Sequence, residues 1–136
     1  MPQIKPNILV IDDEDSMLKA YKSILKNSYN LTLVNNPGEA LDLLSGDNFS
    51  LIILDLKMPR MDGIEVLKKI KEIDDGLEVI MVTGVRDIKS AVQAIKLGAY
   101  DYVTKPFEAE ELCSIIEKAM ERRSLLRENV YLRQAI

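Results

Sequence analysis

Asp12-Asp13, Asp55, Thr83 and Lys105 draw attention because each meets the end of an apolar run. Ile8-Leu9-Val10-Ile11 stops at Asp12-Asp13, Leu51-Ile52-Ile53-Leu54 at Asp55, Val79-Ile80-Met81-Val82 at Thr83, and Tyr102-Val103-Thr104 at Lys105. Were these runs neighbouring parallel strands, their carboxyl ends would bring three carboxylates, a hydroxyl and an ammonium into the crevice where open α/β sheets bind ligands. Asp12-Asp13-Glu14-Asp15 places four acids in a row, and carboxylates this close repel one another unless a cation intervenes. Such a run by itself reads as a solvated acidic turn before a helix; the further carboxylate of Asp55 is what turns the reading towards a cation site. Oxygen donors with no imidazole or thiolate beside them in sequence suit the hard ion Mg²⁺, which takes one or two carboxylates, a carbonyl and retained waters.

Asp55 itself could be a metal ligand or a nucleophile. A carboxylate can attack a phosphoryl group, provided cations screen the incoming charge, a task for Lys105 and the metal. Thr83 offers a hydroxyl donor to a phosphoryl oxygen, and Gly84 leaves room for a backbone amide to approach. A strand-end threonine or lysine alone is ordinarily structural or solvated, so the joint placement carries the argument.

The elements that must hold these groups alternate between short runs rich in Ile, Leu and Val and longer stretches of helical periodicity. Helix one would bury Met17, Leu18, Tyr21, Ile24 and Leu25. After a second strand around Leu31 to Val34, Asn36 caps and Pro37 opens a helix burying Ala40, Leu41 and Leu44, ended by Gly46. Ile64, Leu67 and Ile70 line a third helix closed near Asp75-Gly76; Ile88, Ala91, Val92 and Ile95 line a fourth closed at Gly98, with both glycines placed for a left-handed cap. A fifth helix begins near Glu110 with Leu112, Ile115, Ile116, Ala119 and Met120 at helical spacing, and extends well past the globular body. Strands apolar throughout imply a central sheet covered on both faces. The expected fold is therefore a doubly wound α/β domain with a five-stranded parallel sheet.

Composition bounds the function. The chain has 136 residues, 47% of them hydrophobic, enough for one domain with an ordinary core. A net charge of −4 argues against a nucleic-acid surface, which needs a basic stripe. One cysteine, Cys113, rules out a disulfide frame, and neither a signal-like segment nor a membrane-spanning apolar stretch is seen, so the cytoplasm is the expected location. The chain holds no histidine, which removes the usual imidazole base and histidine-based triads.

These motifs carry a family resemblance. Asp12-Asp13, the segment Asp55-Leu56-Lys57-Met58-Pro59-Arg60-Met61-Asp62-Gly63, Thr83-Gly84 and Gly98-Ala99-Tyr100-Asp101-Tyr102-Val103-Thr104-Lys105-Pro106-Phe107 resemble, in order and over residues 7 to 121, the receiver domain of bacterial two-component response regulators. The resemblance implies a flavodoxin-like strand order 2-1-3-4-5 and a phosphorylation-activated signalling switch, not an enzyme beyond catalysing its own phosphorylation and dephosphorylation. It implies that Asp55 accepts the phosphoryl group from a partner histidine kinase. It makes Asp13, Asp55 and the Lys57 carbonyl direct Mg²⁺ ligands, Asp12 an outer ligand through water, and Thr83 and Lys105 the phosphoryl binders. Tyr102 becomes the aromatic that turns inward when Thr83 is drawn to the phosphoryl group, and Lys105-Pro106 resembles the family's cis peptide. Tyr100 and Met58 are read as an exposed ring and loop packing. Lys57 and Val85 occupy two positions where the family tunes phosphoryl lifetime.

Three rivals fit less well. A phosphohydrolase with an aspartyl nucleophile needs a second Asp two positions on, where Lys57 stands. An FMN binder of the same architecture needs a phosphate site in the loop that Asp12-Asp13-Glu14-Asp15 fills with negative charge. A purely structural adaptor has no need of the full acid, hydroxyl and lysine set.

Beyond the body, Leu125, Asn129, Leu132 and Ile136 are spaced as a short a/d seam with one polar position, either a solvated helix tail or the start of a coiled coil. Leu125-Leu126-Arg127-Glu128-Asn129 is similar to the linker helix between receivers and the ATPase domains of bacterial enhancer-binding transcription activators. That similarity implies a linker segment at 122–136, an ATPase and DNA-binding output domain in the same polypeptide and control of transcription; Leu125, Leu132 and Ile136, exposed unless a partner helix buries them, lead to the expectation of a homodimer held partly by the terminal helix.

Overall fold

A computed structural model of the chain describes residues 5–46, 48–59 and 61–135; the side chains of 61 and 127–135 are not among what it describes. The main sheet has five parallel strands, β1 (Asn7–Ile11), β2 (Asn30–Val34), β3 (Leu51–Asp55), β4 (Glu78–Gly84) and β5 (Asp101–Lys105), in the expected order β2-β1-β3-β4-β5, and a separate antiparallel ladder pairs Lys57–Met58 with Met61–Asp62. Helices α1 (Asp15–Leu25), α2 (Pro37–Leu44), α3 (Gly63–Ile73), α4 (Ile88–Lys96) and α5 (Ala109–Ala135) fill the connections. Among the described residues no helix is long and apolar enough to cross a membrane.

Side chains alternate across a strand, and here the alternation sorts the core into two layers. Leu9, Ile11, Ile52, Leu54, Val79 and Met81 meet Ala40 of α2, Ile64, Val66, Leu67 and Ile70 of α3 and Ala94 of α4. Ile8, Val10, Leu51, Ile53, Ile80 and Val82 meet Tyr21 and Leu25 of α1 and Leu112, Ile116 and Ala119 of α5. Both faces of β1, β3 and β4 are thus apolar because both are covered, and polar residues are confined to the strand ends.

Local chemistry sets the helix boundaries. Asn36 Oδ1 accepts the Glu39 N–H at 2.8 Å, with Pro37 at the first helical position. Asp62 Oδ1 accepts the Ile64 N–H at 2.9 Å, and Gly63 packs so closely that a Cβ there would lie 2.5 Å from the Leu56 carbonyl oxygen. Of the two glycines expected as left-handed caps, Gly98 has φ of 114° and is the described glycine with positive φ. Gly76 does not adopt it. Asp74 ends α3 in extended backbone, and its side chain accepts the Gly76 N–H at 3.0 Å, so a side-chain turn replaces the left-handed cap.

The fourth helix differs from expectation in what it buries. Ala91 and Ala94 face the sheet, whereas Val92 is 42% and Ile95 37% exposed. Small residues at the contact let the helix lie close to the strands, which turns the larger neighbours to its rim. α5 starts at Ala109 and runs 27 residues, about 40 Å at the helical rise. Leu125 and Leu126 are exposed; Ile136 and the side chains of Asn129 and Leu132 lie outside the described residues.

The Gly63 contact yields a prediction. Gly63→Ala forces backbone against backbone and should cost about 2 kcal/mol of stability, whereas Gly46→Ala, with nothing within 4 Å of the added Cβ, should be neutral or stabilising by up to about 1 kcal/mol. Urea unfolding of the two variants beside the native chain gives the comparison; equal stabilities would mean that the Leu56–Gly63 approach is not tight.

Candidate functional site

The parallel register brings the strand ends level. Ile11 pairs with Leu54, Asp55 with Val82, and Thr83 and Gly84 with Thr104 and Lys105. The polar residue after each apolar run therefore emerges at one edge of the sheet. Asp12 is fully buried, Asp55 is 5% and Thr83 1% exposed, while Asp13 is exposed.

Lys105 organises this edge. Its Nζ lies 3.2 Å from Asp12 Oδ2 and 3.3 Å from Asp55 Oδ2. The remaining oxygens meet backbone: Asp12 Oδ1 accepts the Glu14 N–H at 2.9 Å, and Asp55 Oδ1 the Lys57 N–H at 3.3 Å. Carboxylate oxygens of Asp12, Asp13 and Asp55 all lie within 4.8 Å of one another. Three carboxylates against one ammonium leave two negative charges in a mostly buried space.

The titration behaviour follows. Burial, and then the Asp12 carboxylate, push Asp55 up to about 6, against the opposing pull of Lys105 and the Lys57 amide. Burial pulls the Lys105 ammonium down, but Asp55 and Asp12 outweigh it and hold Lys105 above the ordinary lysine value. The two directions agree once the sharing is counted, because one ammonium divided between two acids cannot offset burial and repulsion for both. Such a donor set, all oxygen and short of positive charge, fits a hard divalent cation.

The structure brings Asp12, Asp13, Asp55 and Lys105 together and places the other expected residues around them. Thr83 donates its hydroxyl to the Gly84 carbonyl at 3.2 Å, a local bond readily exchanged for a better acceptor. Tyr102 is half-buried, against the core layer of α2, α3 and α4. The Lys57 side chain turns away from the acids to pair with Asp87, Nζ to Oδ1 3.6 Å, so its contact with Asp55 is through the backbone amide. Met58 is buried beside the site as loop packing. Tyr100, read as an exposed ring, is half-buried under the Arg122 guanidinium, 5.7 Å from its centroid. Arg60 lies outside the described residues. The Lys105–Pro106 peptide is cis.

Tyr21, which helical periodicity places only in the core, also bears on the site. Its ring stacks on Phe107 with centroids 5.7 Å apart; burial and then the charges of Asp12 and Asp55 hold its phenol well above the ordinary tyrosine range. No spacing in the sequence signals this contact, since 86 residues separate the two rings.

Comparisons with known proteins converge. A family model for the response regulator receiver domain matches residues 8–117. The C4-dicarboxylate transport transcriptional regulatory protein DctD of Rhizobium meliloti (strain 1021) is 40% identical over 131 residues, 96% of this chain and 28% of that protein. The transcriptional regulatory protein FixJ of Bradyrhizobium diazoefficiens is 38% identical over 117 residues, 85% of this chain and 57% of that protein. Among solved structures, NtrX from Brucella abortus in complex with ADP superposes with a TM-score of 0.90 at 33% identity, covering 95% of this chain and 30% of that one. A receiver domain protein from Clostridium thermocellum gives 0.85 at 34% identity, covering 89% and 98%. The chain thus spans well under two thirds of the length of these curated relatives.

The raised Asp55 sets a pH-dependent stability. Between about 4, the ordinary carboxylate value, and about 6, the folded chain holds a proton that the unfolded chain releases, so stability falls as pH rises through that window. Asp55→Asn removes the penalty. In EDTA at pH 7.5 the variant should be more stable than the native chain by about 2 kcal/mol, and the difference should vanish near pH 3.5. Urea unfolding at both pH values measures it; a variant less stable than native at pH 7.5 would contradict a carboxylate opposed by burial and by Asp12.

Proposed function

Because this chain belongs to the response regulator receiver domain family, and is thus the receiver of a two-component signalling protein, we propose that Asp55 is its phosphoryl acceptor. The observation that carries the reading is the Lys105 ammonium held between Asp12 and Asp55 at 3.2 and 3.3 Å, with Asp13 close by. An Asp55 oxygen attacks the phosphorus of a phosphohistidine on a sensor histidine kinase; the P–O bond forms as the P–N bond breaks, and the imidazole, protonated by solvent on its other nitrogen, leaves as a neutral ring. Lys105 then moves part of its charge from the two carboxylates onto the phosphoryl oxygens, and the Thr83 hydroxyl leaves the Gly84 carbonyl to donate to another. In this role the chain promotes only its own phosphorylation and dephosphorylation.

Asp13, Asp55 and the Lys57 carbonyl would hold Mg²⁺ directly, with Asp12 reaching it through water. Mg²⁺ supplies charge neutralisation for carboxylates and phosphoryl oxygens in the same space. The surplus of two negative charges supports this assignment. Lys105, itself held by Asp12, fixes the position of Asp55 Oδ2.

When Thr83 moves towards the phosphoryl group it vacates space on the β4 edge, and Tyr102 turns inward, changing the face of α4, β5 and α5. Going from about 1:99 to 99:1 takes roughly 5.5 kcal/mol of differential stabilisation, within reach of two charge-assisted bonds in a dry site. We assign residues 7–121 to the receiver and 122–136 to the segment leading to an output domain with ATPase and DNA-binding activity, with the molecule acting in the cytoplasm as a homodimer to control transcription.

Incubation with acetyl phosphate and Mg²⁺ should add one acid-stable, base-labile phosphate, seen by intact mass. Asp55→Asn should abolish it and EDTA should stop it. Asp13→Ala should weaken Mg²⁺ binding by more than the about tenfold that loss of an outer-shell partner causes, while Asp15→Ala should not. Thr83→Ala should still be labelled but fail to shift the amide resonances around Tyr102. Normal labelling of Asp55→Asn would sink the assignment.

A further inference from the structure

At the end of the sheet opposite the carboxylates, α5 is gripped by two successive arginines. Arg122 Nε lies 3.6 Å from Oε2 of Glu78, the first residue of β4, and its guanidinium covers the Tyr100 ring just before β5. Arg123 Nη1 donates to the Gly76 carbonyl, and its Nη2 lies 3.9 Å from Asp74 Oδ2, both in the turn between α3 and β4. The Glu78 and Arg123 side chains are 4% and 8% exposed while their partners Arg122 and Asp74 are 56% and 48% exposed, so each ion pair ties one buried charge to the rim of the body. Neighbouring helix positions point about 100° apart, so the two side chains fix both the rotation and the tilt of α5 as it leaves the body. Of the two strands they meet, β4 carries Thr83 near its other end, while β5 carries Tyr102 at this same end, two residues past Tyr100.

We infer that Arg122 and Arg123 form an ionic joint through which the state of the carboxylate site is passed to the exit helix beyond residue 123. Glu78 Oε2 makes no hydrogen bond among the described residues; its buried charge is met by the Arg122 guanidinium at ion-pair distance and by the nearby Lys71 ammonium, so a displacement of the strand end changes how that charge is shared. A shift of β4 driven by Thr83, or of β5 driven by Tyr102, changes the Arg122 contact first. Tyr100 ties the two strands at this point, its N–H donating to the Val79 carbonyl at 2.7 Å. The helix past the joint exposes Leu125 and Leu126, so a small rotation re-aims an apolar pair. This inference rests on the reading of Asp55 as acceptor.

The test is hydrogen exchange on the full chain, native, Arg122→Gln and Glu78→Gln, each with and without Mg²⁺ and beryllofluoride as phosphoryl mimic. Glu78→Gln keeps the side-chain shape and guards against misfolding of the arginine variant. Both variants should exchange about tenfold faster than native over residues 124–135 without the mimic, which corresponds to about 1.4 kcal/mol of local opening. With the mimic they should keep the native response around Thr83 and lose it over residues 124–135. Unchanged exchange there in both variants, or a mimic response equal to native, overturns the joint. Absence of any response around Thr83 in the native chain overturns the acceptor reading, and the coupling with it.

Discussion

The contact of Lys105 with Asp12 and Asp55 is the constraint around which the rest of this molecule is arranged. It joins residues 93 and 50 positions apart in sequence, and it exists only if β1, β3 and β5 end level in a parallel sheet. Removing Lys105 would leave both acids uncompensated in a mostly buried place, a loss that typically costs about 3–5 kcal/mol. Yet the pair is not self-sufficient. One ammonium cannot neutralise Asp12, Asp13 and Asp55, and the strain of that shortage shows in Asp55, whose raised titration point marks a group that burial and a like charge both oppose. The site is therefore poised to gain positive charge, and a carboxylate relieved by a cation is also one able to take up a phosphoryl group.

The fold meets this demand by separating its two tasks. Strands β1, β3 and β4 are apolar on both faces and locked between two layers of helices, so they give rigidity and no chemistry. Chemistry begins one residue past each apolar run, where the chain leaves the sheet and backbone amides of Glu14 and Lys57 turn back to hold carboxylate oxygens. The tight approach of Gly63 to Leu56 fixes the loop after Asp55 from the other side. Rigid strands that reach from the carboxylates to the arginine contacts at the far end also give a local charge change a route across the domain.

Much of this is legible in residue order. Asp12, Asp55, Thr83 and Lys105 stand out because a buried strand leaves polar residues nowhere but its ends, and strands apolar throughout imply a doubly covered sheet. Other features depend on geometry that one-dimensional spacing does not hold. The periodicity of α4 marks an apolar side but not how close the helix lies, and Ala91 and Ala94 set that distance, leaving Val92 and Ile95 at the rim. Gly76 matches the pattern for a left-handed cap, but Asp74 two residues earlier offers a competing side-chain turn. The pairs Tyr21–Phe107, Lys57–Asp87 and Arg122–Glu78 join distant segments with no shared period, so nothing in the order of residues announces them.

The central claim is that three carboxylates at level strand ends, short of positive charge despite Lys105, form a single site for a divalent cation and a phosphoryl group. A crystal structure of the chain grown with Mg²⁺ and beryllofluoride tests it most directly. The account predicts the metal on Asp13, Asp55 and the Lys57 carbonyl with a water to Asp12, beryllium bonded to an Asp55 oxygen, and Lys105 and Thr83 on the fluorides. Metal held at the surface by Asp13 and Asp15 with Asp55 still paired to Lys105 alone, or beryllofluoride bound elsewhere, would contradict it.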